Sequence, residues 1–264
     1  VTPSPLERAF AFERSMLGAV GRVVTGTWGQ AFLTPDLDRC YDRNVLWVVG
    51  DGGGAGAEEI DAQAERLLGG HGMEHRRILV EPAADARVRE GMVERGYARS
   101  ANVFMAFAGD APVVAVDAVV EAPVGAVDAG CERYLLTDPD TAGYGRDQRT
   151  REQLLEHHRE YGPRVGAERR FAVVDGDGVA VAWARLWRRG AETQVEDVVC
   201  LAEHRGRGYG RAVVAAAART ALLDGGTDLL FIVAEASGWP RDLYARLGFS
   251  AVGELAIYQR FAPR

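Results

Sequence analysis

Apolar positions along this chain alternate between helical and strand spacing, and the alternation repeats in two runs of similar order. Ser4-Pro5-Leu6-Glu7 reads as a helix start, with Ser4 as cap, Pro5 in the first turn and Glu7 closing a capping box. Leu6, Ala9, Phe10, Leu17 and Val20 follow near helical spacing. Residues 23–28 predict a strand, residues 45–49 a second, and Asp51-Gly52-Gly53-Gly54 a loop. An amphipathic helix carrying Ile60, Ala64, Leu67 and Leu68 closes at Gly69-Gly70. Residues 77–81 predict a strand, 85–95 a helix stopped by Gly96, and 102–108 another strand.

Gly109-Asp110-Ala111-Pro112 breaks the pattern and marks a boundary, giving a first unit of residues 1–110 and a second of 111–264. The second opens with a predicted strand at 113–120 and a helix at 124–136. Thr150 and Gln153 suggest a capping box for a helix running to Tyr161, with Gly162-Pro163 as its stop. Strands at 170–174 and 179–187 flank Asp175-Gly176-Asp177-Gly178, a hairpin signal, and a third strand spans 193–201. A glycine and arginine turn, Arg205 to Arg211, then leads into an apolar helix. A strand at 229–234, a short helix carrying Leu243, Tyr244 and Leu247, and a strand at 255–261 complete the unit. Residues 77–107 and 229–261 share the order strand, helix, Gly-aromatic, strand, which suggests that one fold occurs twice.

The 264 residues are 47% apolar, enough for a substantial core. No apolar run has the length of a membrane span, and the first residues do not read as a signal segment. Cys40, Cys131 and Cys200 are scattered, with neither disulfide nor metal spacing, which favours a reducing cytoplasm. The net charge of −7 argues against general nucleic-acid binding and favours a neutral or cationic substrate. Lysine is absent, so every fixed side-chain cation is arginine and no lysine nucleophile exists. His71 and His75 stand four apart without a third ligand, and adjacent His157 and His158 point apart on a helix, so no metal site is expected. These two read as solvated or gap-filling histidines, Arg185, Arg188 and Arg189 as a solvated hairpin end, and Trp183 and Trp187 as core or groove wall.

The Arg205-Gly206-Arg207-Gly208-Tyr209-Gly210-Arg211 turn combines glycines that permit positive φ, arginines and a following helix N-terminus, the elements of a phosphate seat. The second unit resembles the GNAT superfamily of acyl-CoA-dependent N-acyltransferases, most specifically from Gln194 to Phe249. Arg205, Gly208 and Gly210 match the family's glycine signature after a strand, and Leu243-Tyr244 with Gly248-Phe249 match its second signature.

The resemblance implies an α/β fold with a mixed, mostly antiparallel sheet flanked by helices, present as two tandem copies of which the first is degenerate. It implies acetyl-CoA as co-substrate, its pyrophosphate on residues 206–211 and its pantetheine along Val198, Val199 and Cys200. It implies Tyr244 as the acid that protonates the departing thiolate. Ser237 stands where the family usually places Asn, able to bond the pantetheine or cap the helix, and Ile232 stands where some relatives carry a catalytic Glu. The base therefore comes from elsewhere or is water. Glu196 and Asp197 are the candidates, of which strand alternation lets only one face the substrate, and Glu196 is favoured. Cys200 reads as a small hydrophobe rather than a nucleophile. The first unit's turn at residues 52–57 leads into Glu58 and Glu59, which would repel a pyrophosphate, so only the second unit is expected to bind CoA.

The activity expected is N-acetyl transfer to an amine of a small molecule or peptide, without nucleic acid or membrane as partner; oligomeric state is open, a homodimer included. The alternative is a non-catalytic acyl-CoA-binding or regulatory module. A dinucleotide fold is a weaker rival, because residues 208–213 lack the third glycine of that fingerprint.

Overall fold

The structure, a computed structural model, describes residues 2–109, 115 and 117–261, with backbone alone at 160–165. The first half runs α1 (Pro5–Val20), β1 (Arg22–Gly26), β2 (Gly29–Leu33), β3 (Val45–Val48), α2 (Ala57–Leu67), β4 (His75–Val80), α3 (Pro82–Glu94) and β5 (Ala98–Phe107). The second runs β6 (Val120–Glu121), α4 (Val124–Thr137), α5 (Gln148–Val165), β7 (Ala167–Val174), β8 (Ala180–Arg189), β9 (Glu192–Cys200), α6 (Tyr209–Leu223), β10 (Leu229–Glu235), α7 (Pro240–Arg246) and β11 (Phe249–Phe261).

All strands join one 11-stranded sheet in the order β1-β2-β3-β4-β11-β5-β10-β9-β8-β7-β6. Only β3–β4 and β9–β10 are parallel among the described pairings. Each parallel pair is linked by a glycine turn and a helix, and each is followed by a second helix and a long strand, so the internal repeat seen in the sequence is a repeat of structure. The two last strands change places. β5 pairs with β10 of the second half, while β11 inserts between β4 and β5 of the first. The sheet is therefore continuous across the boundary near residue 110, and each half completes the other.

Local chemistry accounts for most element ends. Glu7 N–H donates to Ser4 Oγ and Ser4 N–H to Glu7 Oε2, the expected capping box, a motif contributing about 1 kcal/mol. The apolar stripe of α1 buries Phe10, Phe12 and Met16 against Trp47, Phe104 and Phe231 of the sheet.

Several predicted boundaries shift. Residues 23–26 fall in β1, but the strand ends at Gly26, and Thr27 and Trp28 turn the chain into β2, where Gly29, φ 143, lies so close to the Trp47 carbonyl that a Cβ would approach to 2.1 Å. The α5 cap is Asp147, not Thr150; its carboxylate accepts from both Thr150 N–H and Oγ1, which a hydroxyl cap cannot match. Gln153 instead bridges to the first half, accepting from Arg39 N–H and donating to Asp38. α5 also passes Gly162-Pro163 and stops at Gly166, whose φ of 145 favours glycine. Of the predicted strand at 113–120, residues 113, 114 and 116 lie outside the described residues; Asp117 and Ala118 form a turn instead, and β6 begins only at Val120. His75, expected in a loop, opens β4 with Nε2 against Asn44 O.

Candidate active site

The parallel pairing of β9 with β10 runs only from Glu192–Leu229 to Val195–Ile232. Beyond it the strands part, leaving a cavity of about 240 Å³ bounded by Val195 to Val198, Ile232 to Glu235, Pro240 and Tyr244. On its other side β9 stays paired with β8, through Val199–Trp183 and Cys200–Ala182. Strand polar groups facing the gap are thus placed for an extended ligand to bond.

At the end of the gap the predicted turn opens α6. Gly206 and Gly208 have φ 76 and 80, and a Cβ at either would meet nothing within 4 Å, so backbone conformation rather than space calls for glycine there. Gly208 caps α6 without a side chain, so no side chain covers the first amides. Gly210 lies against Cys200, a free thiol that burial pushes above its usual range. Arg207 and Arg211 are exposed beside the turn, and His204 stacks with Tyr209 at 6.5 Å.

Arg205 departs from expectation. Its guanidinium donates at 2.9 Å to both Asp138 oxygens and to Asp140, and its Nε donates to Cys200 O at 3.0 Å. Asp138, whose side chain is fully buried, also accepts from Ala202 N–H. The physical reason is plain: a buried carboxylate at the end of α4 needs a counter-ion, and Arg205 supplies it. Arg205 anchors the turn rather than facing an anion. Ser237 donates to Glu235, which borders the slot, and α7 has no side-chain cap.

A second cavity, of about 460 Å³, lies on the other side of Glu196 and Asp197, between residues 39–43 of the first half and α4, α5 and β8 of the second. Glu196 and Asp197 line both cavities. Strand alternation should have excluded this, but Asp197 has φ 52, the one positive value outside glycine among the described residues, and the β8–β9 register slips there. The bulge turns both carboxylates to the same region.

The two carboxylates differ in restraint. Asp197 Oδ2 accepts from Trp183 Nε1 at 3.1 Å and lies 3.4 Å from His158 Nδ1 and 3.9 Å from Arg185 Nε. Burial raises its pKa although Arg185 and Trp183 oppose the rise. Glu196 accepts from Gln194 Nε2 at 2.8 Å, and the same nitrogen donates to Glu13 Oε1 of α1 at 2.6 Å. Burial first, then the charges of Glu13 and Asp197, push Glu196 up to about 8, with Arg43 opposing and Asp42 adding slightly. Glu13 is raised as well, chiefly by burial. Tyr244, buried in the slot wall, has its phenol pushed up by burial and then by Glu196.

Neither histidine is solvated. Arg43 Nε donates to His157 Nε2, and burial holds His157 well below its usual pKa. Burial depresses His158 to about 3. Both face the larger cavity as neutral rings. Arg185, expected in a solvated hairpin end, is 2% exposed and pairs with Glu168 at 2.6 Å. Glu13, Gln194, Arg43 and Asp138 carried no motif, and their roles depend on contacts between distant segments.

The first half shows what became of its own seat. Its turn retains positive φ at Gly50, Gly52, Gly53 and Gly54. Glu81, however, accepts from Gly50 N–H at 2.8 Å and from Trp47 Nε1 at 3.0 Å, and pairs with Arg14. The β1–β2 hairpin rests on the turn so closely that a Cβ on Gly53 would stand 2.8 Å from Thr27 O. The turn's own amides are also taken up locally: Gly53 N–H donates to Asp51 Oδ1 and Ala55 N–H to Gly52 O. Glu58 and Glu59, to which the sequence pointed, are merely exposed in the first turn of α2.

A parallel strand pair that splays before a glycine turn and helix, in a mixed and mostly antiparallel sheet, defines an acyl-CoA N-acyltransferase type of fold. Residues 167–251 match the family model of the acetyltransferase (GNAT) domain. The C-terminal half of the chain thus carries a GNAT domain. No curated protein matches the sequence significantly.

Among solved structures, a functionally unknown conserved protein from Staphylococcus epidermidis is similar with TM-score 0.66 and 11% identity, over 92% of this chain and 95% of that one. A GCN5-related N-acetyltransferase from Kribbella flavida gives 0.59 and 16%, over 97% and 95%. A tandem GNAT protein from the clavulanic acid biosynthesis pathway, without acetyl-CoA, gives 0.52 and 15%, over 77% and 69%. At such identities these likenesses speak for the fold, a GNAT-like α/β fold of the tandem kind.

Proposed function

We propose that the chain is an acetyl-CoA-dependent N-acetyltransferase. The observation that carries this reading is the position of Glu196 and Asp197 in the wall shared by two cavities, one the splayed slot holding Tyr244 and the other opening between the halves. Donor and acceptor would approach from opposite sides and meet there. The α6 turn, with Arg207 and Arg211, would hold the pyrophosphate, and residues 198–200 the pantetheine arm.

In the reaction the neutral amine attacks the thioester carbonyl, forming a C–N bond as the C–S bond breaks. Glu196 takes the amine proton, directly or through a water, and a carboxyl raised to about 8 is matched to that task. Tyr244 gives its proton to the thiolate, and its raised pKa keeps it protonated at neutral pH. The proton held by Glu196 then restores Tyr244, which borders the same slot. The three free cysteines agree with a reducing cytoplasm as the working compartment.

The test pairs binding with turnover. Tyr244→Phe should lower kcat by about 10²- to 10³-fold while calorimetry finds CoA affinity unchanged and one CoA per chain. Loss of CoA affinity with normal residual turnover would reject the assignment of Tyr244. Tight CoA binding by the unaltered chain without thiol release from any amine would instead support a non-catalytic acyl-CoA-binding module.

A further inference from the structure

The reaction above begins with a neutral amine, yet an alkylamine at neutral pH carries one proton more. That proton must leave before attack, and Glu196, raised to about 8 and so mostly protonated at pH 7, is not the group to receive it. Beside Glu196 runs a line of three side chains: Asp197 of β9, His158 of α5 and Asp128 of α4. His158 is 5% exposed, with Nδ1 3.4 Å from Asp197 Oδ2 and Nε2 3.6 Å from Asp128 Oδ1.

A neutral imidazole has one N–H, so it can face only one of the two carboxylates with a donor. The other contacts decide which. Asp197 Oδ2 already accepts from Trp183 Nε1 at 3.1 Å, with Arg185 Nε 3.9 Å away. Asp128 Oδ1 and His158 Nε2 are both buried and have no hydrogen-bond partner among the described residues. A hydrogen on Nε2 gives both atoms a partner after a small turn of the ring, whereas one on Nδ1 leaves two bare acceptors facing each other. Asp128 is itself held, its Oδ2 accepting from Arg159 Nε at 3.2 Å, and Glu168 pairs with both Arg170 and Arg185. The lone pair of Nδ1 therefore points at Asp197 and favours its protonated form, a direction in which burial also pushes it, against Arg185 and Trp183.

The backbone carries a second sign. Two residues beyond the last parallel pair stands Gly50 in the first half, with φ 60, and Asp197 in the second, with φ 52. The bend is common to both halves, and only the second places a side chain on it, at a conformational cost.

We propose that Asp197 accepts the first proton of the acceptor ammonium, and that Asp128 positions His158, with its hydrogen on Nε2, to hold that proton through Nδ1. The proposal rests on the acetyltransferase reading above and adds a step before it. An ammonium N–H bond breaks, its electron pair stays on nitrogen for the attack, and an O–H forms on Asp197. Glu196 then takes the second proton as the C–N bond forms. Once the amide and CoA thiol have left, the Asp197 proton passes to solvent through the open cavity, one per turnover.

Asp128→Asn tests the arrangement. Arg159 draws the carboxamide oxygen, so the amide hydrogens face Nε2 and the ring hydrogen moves to Nδ1, where it favours ionised Asp197. Thiol release by the full chain with acetyl-CoA at pH 7 is compared for ethylamine, an ammonium at that pH, and trifluoroethylamine, a similar molecule that is largely neutral. In Asp128→Asn, kcat/KM for ethylamine should fall about a hundredfold, as expected of a reversed tautomer, and that for trifluoroethylamine by less than about threefold. His158→Leu should show the same selective loss, and His158→Gln, whose carboxamide can donate to Asp128 and accept from Asp197, should restore ethylamine. Nitrogen NMR should find the His158 hydrogen on Nε2 in the unaltered chain and on Nδ1 in Asp128→Asn. Equal losses for the two amines, or a hydrogen on Nδ1 in the unaltered chain, would overturn the proposal and leave the acetyltransferase reading intact. If neither amine releases thiol, that reading fails for them and the tautomer decides: Nε2–H sustains the arrangement, and Nδ1–H overturns it.

Discussion

Replacing Glu13 by glutamine tests whether Glu196 titrates alone. Both carboxyls accept from Gln194 Nε2, at 2.6 and 2.8 Å, and a glutamine at position 13 can keep accepting that bond through its own carbonyl. What disappears is the charge. At a separation of roughly 5 Å and an effective dielectric of about 20 to 40, a like charge raises a carboxyl by about 1.5–3 kcal/mol, or about one to two pH units. Glu13 is itself raised, chiefly by burial, so the two carboxyls affect each other's ionisation and the lower end is taken. The other groups acting on Glu196 remain in place: Asp197 and Asp42 continue to raise it and Arg43 to lower it. Asp197 in turn stays held among Trp183, Arg185 and His158.

The sign follows from the chemistry. Glu196 serves as base only when ionised, so activity increases as pH rises through about 8. Lowering that value by about one unit raises the ionised fraction at pH 7 from about a tenth to about a half. Glu13→Gln should therefore increase kcat/KM about fivefold at pH 7 and leave it unchanged near pH 9.5. The assay is acetyl transfer to one amine from pH 6 to 10, expressed as the ratio of variant to wild type, in which the amine's own ionisation cancels. A ratio of one throughout, or an equal loss at every pH, would refute the coupling.

Three further outcomes follow from the charged and titratable groups. Arg205→Ala strands Asp138, whose side chain is fully buried, and should cost about 2–3 kcal/mol in urea unfolding; Arg211→Ala, at an exposed position, should stay within about 0.5 kcal/mol yet weaken CoA binding by about tenfold. His158 has a folded pKa of about 3 against an ordinary 6.5, so its neutral burial supports the fold above pH 6.5 and loses that support as pH falls toward 3. Relative to wild type, His158→Gln should gain about 2 kcal/mol of unfolding free energy between pH 8 and pH 5. Glu13 and Glu196 titrate in the opposite sense but are common to both chains and cancel; a pH-independent difference would refute the assignment.

Features written in local chemistry were legible from the sequence. The Ser4–Glu7 box, the hairpin at residues 175–178 and the glycine turn before α6 each depend on residues close in the chain, and each occurs as expected. Strand pairing is another matter. The predicted strands at 102–108 and 255–261 both read as the last strand of their own half, and nothing in either pattern names a partner across the boundary. Arg205 looked like a phosphate ligand because its partner Asp138 lies 67 residues upstream. Glu13 looked like any charge on an amphipathic helix, since only the docking of α1 on β9 reveals Gln194 beside it. The bulge at Asp197 escaped notice because positive φ is rare outside glycine, asparagine and their like, and the sequence around it reads as an ordinary strand.

The exchange of β5 and β11 explains how a half without its own anion seat can still be needed. β5 pairs with β10 over Asn102 to Ala106, so the strand forming one side of the splayed slot is braced from the first half. β11 leaves the second half to pair with both β4 and β5. Residues 39–43 form one wall of the larger cavity, and Glu13 raises the pKa of Glu196. The first half's strand, loop and carboxylate are thus all tied to the site in the second half. On the proposed reading, the donor seat at Gly206 to Arg211 would belong to the second half alone, whereas the acceptor cavity and the ionisation of Glu196 would belong to both. Specificity for the acceptor can therefore change through residues 39–43 without disturbing the CoA turn, because the two surfaces meet only at Glu196 and Asp197.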